Sequence, residues 1–181
     1  MIIIFIGPPF AGKETQSIRL SEKLNIPYFS MGHLIRSAYQ NGNPKAIEGF
    51  NNYYLKGKHL PNNLKFDLLK EEMDHAKKGF ILDNYPANAE DLKVLLNYLT
   101  GYKLKISKVF LISISKQVME NRLKDRGRMD DDPEIVSFRR DTQDIERQPV
   151  IEYFKNKGLL VEIDGEKSVD DVSKDILNNL N

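Results

Sequence analysis

At 181 residues, 40% hydrophobic and 29% charged, the chain suits one compact soluble domain with a buried core, and it is too polar to be membrane-embedded. Lysine and arginine (27) nearly balance aspartate and glutamate (26), so no global field calls for nucleic acid or an anionic membrane as a partner. Cysteine is absent, which excludes disulfides, thiolate chemistry and cysteine-bound zinc and leaves a cytoplasmic setting as the expectation.

The first element is the apolar run Ile2-Ile3-Ile4-Phe5-Ile6. It has no basic lead-in and is too short for a signal peptide's apolar core, so it reads as a strand. A turn, Gly7-Pro8-Pro9-Phe10-Ala11-Gly12-Lys13-Glu14-Thr15, follows directly, and then a helical stretch over 17–24. Tyr28 and Phe29 read as core residues. Residues 30–60 break the strand–helix rhythm and form a helical insertion, with helices expected over 31–40 and 44–56. The pair Tyr53-Tyr54 within it is able to stack on a base but reads first as packing of a small helical unit. A helix over 62–77 leads to a second strand, Phe80-Ile81-Leu82, and a helix over 89–99 to a third, Val109-Phe110-Leu111-Ile112. After a helix over 116–125 comes a segment rich in arginine and aspartate. Asp132-Pro133 then has the form of an N-cap and first helical residue, and Pro149 is expected to kink or interrupt the helix that starts there. The run Leu159-Leu160-Val161-Glu162-Ile163 reads as a last strand, and Ser168 with Asp171 as a capping box opening the final helix. Strands buried on both faces lose their period-two alternation, and here they alternate with helices. The expected fold is therefore α/β: a doubly wound parallel sheet of about five strands with helices on both faces, of P-loop NTPase type.

Three features carry chemistry. The turn after the first strand aims consecutive backbone N–H groups, and the positive end of the next helix, at an anion. Lys13 there is in position to reach outer phosphates, and Gly12 allows close backbone approach. Asp83 ends the strand Phe80-Ile81-Leu82 at the sheet edge where such folds bind ligands, suited to holding magnesium through water. Arg126, Arg128 and Arg139, with Asp130, Asp131 and Asp132 between them, supply the positive charge that phosphoryl transfer requires. Arg122 and Arg140 read as ordinary surface charges, and His33, His59 and His75 lack metal-ligand spacing.

Together these pieces resemble the adenylate kinase family along nearly the whole chain. The turn with Thr15-Gln16 resembles that family's phosphate loop. Ser30-Met31-Gly32-His33-Leu34-Ile35-Arg36 resembles the start of its monophosphate-binding insertion, and Lys58-His59-Leu60-Pro61 the end. Gly79-Phe80-Ile81-Leu82-Asp83-Asn84-Tyr85-Pro86 is similar to its acceptor-side strand and loop, and Gly127-Arg128-Met129-Asp130-Asp131 to its lid in the short form. Asp164-Gly165-Glu166-Lys167-Ser168-Val169 resembles the loop against the ATP adenine.

The resemblance implies an ATP-dependent transfer to a nucleoside monophosphate, AMP first, with Mg2+ accompanying ATP and a monomer as the working form. It implies a core over 1–29, 61–125 and 133–181, an insertion over 30–60 and a lid over 126–132. Lid closure excludes water, adenylate kinase being a standard example of such gating. The catalytic set becomes Lys13, Arg128, Arg139 and Asp83, with Thr15 joining Asp83 on the metal side. ATP falls to Pro8, Pro9, Phe10, Ala11, Gly12, Lys13, Glu14, Thr15, Arg126 and Lys167. The acceptor falls to Met31, Arg36, Lys58, His59, Leu60, Asn84, Tyr85, Ala87, Asp91, Arg128 and Arg139.

Several positions depart from the family pattern. Phe10 and Glu14 stand where it has glycine, and a positive φ at Phe10 strains a bulky residue. Ala87 replaces an acceptor-phosphate arginine, Asp91 a glutamine that reads adenine, and Met31 a threonine. Because Asp91 accepts but does not donate, the expectation is altered base preference, toward an exocyclic amine such as that of adenine or cytosine. These departures leave a second reading open, a nucleotide-binding homologue that is non-catalytic or prefers another acceptor such as CMP or UMP. A GTPase switch fits less well, because Asn156-Lys157-Gly158-Leu159 lacks the final acid of a guanine-reading Asn-Lys-x-Asp.

Overall fold

A computed structural model describes residues 1–76, 78–126 and 132–180. Among them are five strands: β1 (Ile2–Ile6), β2 (Tyr28–Ser30), β3 (Phe80–Asp83), β4 (Lys108–Ser113) and β5 (Leu160–Asp164). All pair in parallel, in the order β2-β3-β1-β4-β5. The helices are α1 (Lys13–Leu24), α2 (Met31–Gln40), α3 (Pro44–Asn52), α4 (Asn62–His75), α5 (Ala89–Gly101), α6 (Lys116–Arg126), α7 (Pro133–Asn156) and α8 (Val169–Asn178), with a short 3₁₀ turn at Tyr54–Lys56. No helix among the described residues is long and apolar enough to cross a membrane.

The continuous apolar run of β1 is explained by cover on both sides. Ile2, Ile4 and Ile6 join Phe80, Leu82, Leu95, Val150 and Phe154 on one face, while Ile3 and Phe5 join Ile81, Phe110, Leu20, Met119, Val172 and Ile176 on the other. Alternation survives as a choice between two cores rather than between core and solvent. Each fully buried Ile or Phe contributes about 1.5–3 kcal/mol, so the central strand is held from both sides.

Helix ends follow the expected chemistry. Asp132 Oδ1 accepts from the N–H groups of Glu134 (2.9 Å) and Ile135 (3.1 Å), with Pro133 in the first position. Ser168 Oγ accepts from Asp171 N at 3.2 Å and donates to Asp171 Oδ2 at 2.6 Å.

Three details differ from the sequence expectation. Tyr28–Ser30 is a strand, β2, although three residues with a half-buried tyrosine carry no period-two signal. The helix expected over 44–56 stops at Asn52, because Tyr53 leaves helical geometry at φ −126°, ψ −57°. α7 runs from Pro133 to Asn156 straight through Pro149. Pro149 and Ile145, the residue whose carbonyl the missing N–H would have met, both lie on the exposed side, where water meets the freed carbonyl.

Candidate active site

The site lies at the C-terminal edge of the sheet, where β1, β3 and β5 hand over to loops. Gly7 leaves β1 at φ 148°, and a Cβ there would sit 2.2 Å from the Ile112 carbonyl of β4, so only glycine allows the chain to turn. Gly12, at φ 90°, caps α1 and directs the free N–H groups of its first turn into the loop. Phe10 does adopt a left-handed conformation, φ 62°, a strain of about 1–2 kcal/mol for a residue with a Cβ. Its ring is partly buried against the core beneath α1 and α8, which offsets that strain. Lys13, itself buried, donates from Nζ to the Pro8 carbonyl at 2.7 Å and so closes the loop on itself.

A second loop, after β5, is fastened to the first. Arg122 donates to the Phe10 carbonyl (3.0 Å) and the Gly165 carbonyl (2.7 Å). Gln16 donates to the Val169 carbonyl (3.0 Å) and accepts from Ser173 Oγ (2.7 Å). Arg122 is thus a structural clamp facing the cleft rather than a surface charge. Lys167 also lines the cleft and pairs with Asp175 at 2.8 Å.

Asp83 sits beside Lys13, 4% exposed, at the end of β3 in register with Ser30 of β2. Burial raises its pKa, and the Lys13 charge and a hydrogen bond from Ser30 pull it back. Its Oδ1 has no hydrogen-bond partner. Glu14 lines the cleft close enough for its charge to act on Asp83.

The opposite wall comes from α2, the 3₁₀ turn, α4 and α7. Arg36 donates to the Tyr54 hydroxyl at 2.8 Å, and Arg139 donates to the Tyr54 carbonyl at 3.1 Å with its guanidinium 4.9 Å from the centre of the Tyr54 ring. Tyr54 in turn stacks on Phe50 at 5.1 Å. One tyrosine therefore orients two arginines from distant segments. Beyond them lie His59, Leu60, Lys65, Ala87 and Gln143.

His59 Nε2 and Glu146 Oε2 are 2.7 Å apart but not aligned as a hydrogen bond. Burial, followed by the charges of Lys65, Arg147 and Arg139, lowers the His59 pKa to about 4. Burial first, with those cations, keeps the imidazole neutral near pH 7, so the contact is not an ion pair.

The result is one cleft of about 450 Å³. It brings together Pro9, Phe10, Ala11, Gly12, Lys13, Glu14, Thr15, Met31, Arg36, Lys58, His59, Leu60, Asp83, Asn84, Ala87, Arg139 and Lys167 from the sequence expectation. Pro8, Tyr85 and Asp91 are not on its lining. Asp91 is fully buried: its Oδ2 accepts from Lys65 Nζ (2.7 Å) and from the Ala87 N–H (3.0 Å), so it is not placed to accept from a base amine. Arg128, Asp130 and Asp131, and the side chain of Arg126, lie outside the described residues. Sequence reasoning missed Tyr54, Lys65, Arg122 and Gln143 as cleft residues.

A parallel sheet with a glycine-turned phosphate loop on its central strand, a lysine and a buried aspartate beside it, and arginines across the cleft defines an ATP-dependent phosphotransferase of the P-loop kinase class. Residues 5–159 match the family model described as adenylate kinase. Adenylate kinases similar to the chain include that of Methanocella arvoryzae, 31% identical over 209 aligned residues covering 97% of this chain and 96% of that protein. The adenylate kinase of Mycolicibacterium smegmatis is 36% identical over 158 residues (86% and 87%), and that of Leptospira biflexa 32% over 184 (98% and 98%). The chain belongs to the adenylate kinase family of nucleoside monophosphate kinases.

Proposed function

We propose that the chain transfers the γ-phosphoryl of ATP to AMP, giving two ADP, and that the residues gathered in the cleft carry the roles that follow. The observation behind this reading is the continuity of the cleft. The phosphate loop and the loop after β5 line one part, the Arg36–Tyr54–Arg139 cluster lines the other, and Lys13 and Asp83 lie between. A donor tail and an acceptor phosphate held on these two sides meet in the middle. The bond between the β–γ bridging oxygen and the γ phosphorus breaks as an acceptor phosphate oxygen bonds to the same phosphorus, and no covalent enzyme intermediate is required.

In this reading the N–H groups from Phe10 to Thr15 cradle the donor phosphates, and Lys13 leaves the Pro8 carbonyl to neutralise charge on the transferred group. Arg36 and Arg139 hold the acceptor phosphate, pre-aimed by Tyr54. Arg126 and Arg128 are assigned to the same charge field. Residues 30–60 form the acceptor-binding unit and 126–132 the lid, whose closure excludes water. The partnerless Oδ1 of Asp83 fits a hydrated magnesium ion, which Asp83 would hold through water with Thr15 nearby. When bound with ATP, the ion supplies neutralising charge to the phosphates. The working form is taken to be a monomer. A coupled assay at saturating magnesium-ATP, run with AMP, CMP, UMP and GMP in turn, tests the reading. Turnover with AMP is expected, and turnover with none of the four refutes it.

A further inference from the structure

We propose that Lys65, held by Asp91, reads the acceptor base, and that it admits purine monophosphates carrying a carbonyl at the six-position. This rests on the acceptor assignment above and names the chemistry of its base. With a phosphate held by Arg36 and Arg139, the attached nucleoside extends toward the wall built from Leu60, Ala87, His59, Lys65 and Gln143. Leu60 and Ala87 suit the faces of a ring. Lys65 is 2% exposed and borders the cleft, whereas Asp91 is 0% exposed and does not. Asp91 takes one N–H of the ammonium through Oδ2 at 2.7 Å, and its Oδ1 lies 2.6 Å away without alignment. An ammonium carries three donors and no acceptor. Lys65 therefore presents a base with a donor, its matching acceptor Asp91 sealed behind it, while Gln143 on the same wall is able to donate or accept.

The surroundings support a ligand-facing polar end. Among the described residues, six buried side-chain polar atoms lack an aligned hydrogen bond, and four of them, on His59, Tyr85, Asp91 and Glu146, belong to this cluster. Their proximity shows in the direct His59–Glu146 approach of 2.7 Å, in the action of the Lys65 and Asp91 charges on Glu146, and in that of Asp91 on Tyr85. Three of the four already face a polar neighbour within 2.7 Å without hydrogen-bond alignment, and the Tyr85 hydroxyl faces none, so the cluster is under-satisfied at the end that borders the cleft.

Adenine offers an amine at its six-position, which faces a donor unfavourably. Hypoxanthine offers a carbonyl, which accepts. A charged donor meeting a carbonyl contributes a factor of about 10 to 150 in binding. At Lys65 the site therefore favours a six-position carbonyl over a six-position amine.

The decisive comparison is wild type against the double variant Lys65→Met/Asp91→Asn. The second substitution removes the carboxylate that Lys65→Met alone would strand, while keeping an oxygen for the Ala87 N–H. Equilibrium binding of IMP and AMP to both proteins, with turnover of each, gives the IMP-to-AMP ratio of dissociation constants. A rise in that ratio of tenfold or more in the variant is the expected result. A smaller change, with a folded variant that binds AMP, means that the pair is only structural and overturns the proposal. Binding of neither nucleotide to wild type would instead remove the acceptor assignment itself, and the proposal with it.

Discussion

The buried pair between α4 and α5 allows a stability experiment whose size follows from burial. Lys65 and Asp91 are 2% and 0% exposed, with Nζ 2.7 Å from Oδ2. Lys65→Met leaves a carboxylate in a water-poor interior with only the Ala87 N–H for company. Breaking a buried pair in this way costs about 3–5 kcal/mol, because the stranded charge retains its desolvation penalty. For a domain of this size, 1 kcal/mol moves Tm by about 2–4 °C, so a fall of roughly 6–20 °C is expected. Adding Asp91→Asn removes the stranded charge and keeps an acceptor for Ala87, so the double variant is expected to recover most of the loss. Denaturant unfolding of wild type, Lys65→Met, Asp91→Asn and the double variant closes a thermodynamic cycle. If the single variant loses less than 1 kcal/mol, or the two losses simply add, then the pair is not desolvated as its burial implies.

Three further outcomes follow from the same geometry. Lys13→Met removes the charge aimed at the transferred phosphoryl, and kcat is expected to fall by about 10²–10³-fold while the fold persists by circular dichroism. Tyr54→Phe deletes the acceptor of the Arg36 hydrogen bond and keeps the ring under Arg139. A bond of about 1 kcal/mol corresponds to a roughly fivefold rise in the acceptor KM with the ATP KM unchanged, measurable by steady-state kinetics. The third concerns His59, whose pKa is lowered from 6.5 to about 4, chiefly by burial. Below the unfolded value the unfolded chain binds a proton that the folded chain refuses, so stability falls as pH drops from 6.5 toward 4, by up to about 3 kcal/mol. His59→Gln is expected to flatten that part of the pH–stability curve, as read by urea unfolding at pH 7.5, 6 and 4.5.

The strands and the phosphate loop were legible because each leaves a local signature: β1 is a continuous apolar run, and Gly7, Gly12 and Lys13 stand at fixed spacings after it. β2 was not, since its three residues are ordered by pairing with β3 and not by pattern. Two of the cleft residues that escaped notice, Lys65 and Gln143, share a subtler mark, a polar residue on an inward helical stripe. On α4 the buried series runs Lys65, Leu69, Met73, and on α5 Asp91, Leu95, Tyr98, Leu99. On α7 the buried positions Val136, Arg139, Gln143, Arg147, Val150 and Phe154 recur at three- and four-residue steps, with the polar members in the middle. A charge on such a stripe requires a partner or a ligand. A single lysine on one apolar stripe and a single aspartate on the apolar stripe of the next helix point to each other, and that reading was available without coordinates. Asp91 was misjudged because a carboxylate in a base-reading position was considered without asking what faced it.

The acceptor side illustrates how charge lost at one position is redistributed. Ala87 carries no charge, and the loss of a phosphate-binding arginine weakens binding by about 10- to 150-fold if nothing compensates. Position 87 instead contributes its backbone N–H to Asp91, which anchors Lys65. The loop after β3 thus supports a buried ion pair. In the proposed reading phosphate binding then depends on Arg36 and Arg139, and both are steered by the same tyrosine from a 3₁₀ turn that follows the early end of α3. Pre-orientation reduces the side-chain entropy that two long arginines lose on binding, about 0.5–1.5 kcal/mol each, and so recovers part of what the missing arginine gave. Ala87, Asp91 and Lys65 thus form one hydrogen-bonded unit, set apart from the two arginines that Tyr54 orients. An arginine introduced at 87 alone would therefore put a second cation beside Lys65 while Asp91 stayed committed to the first.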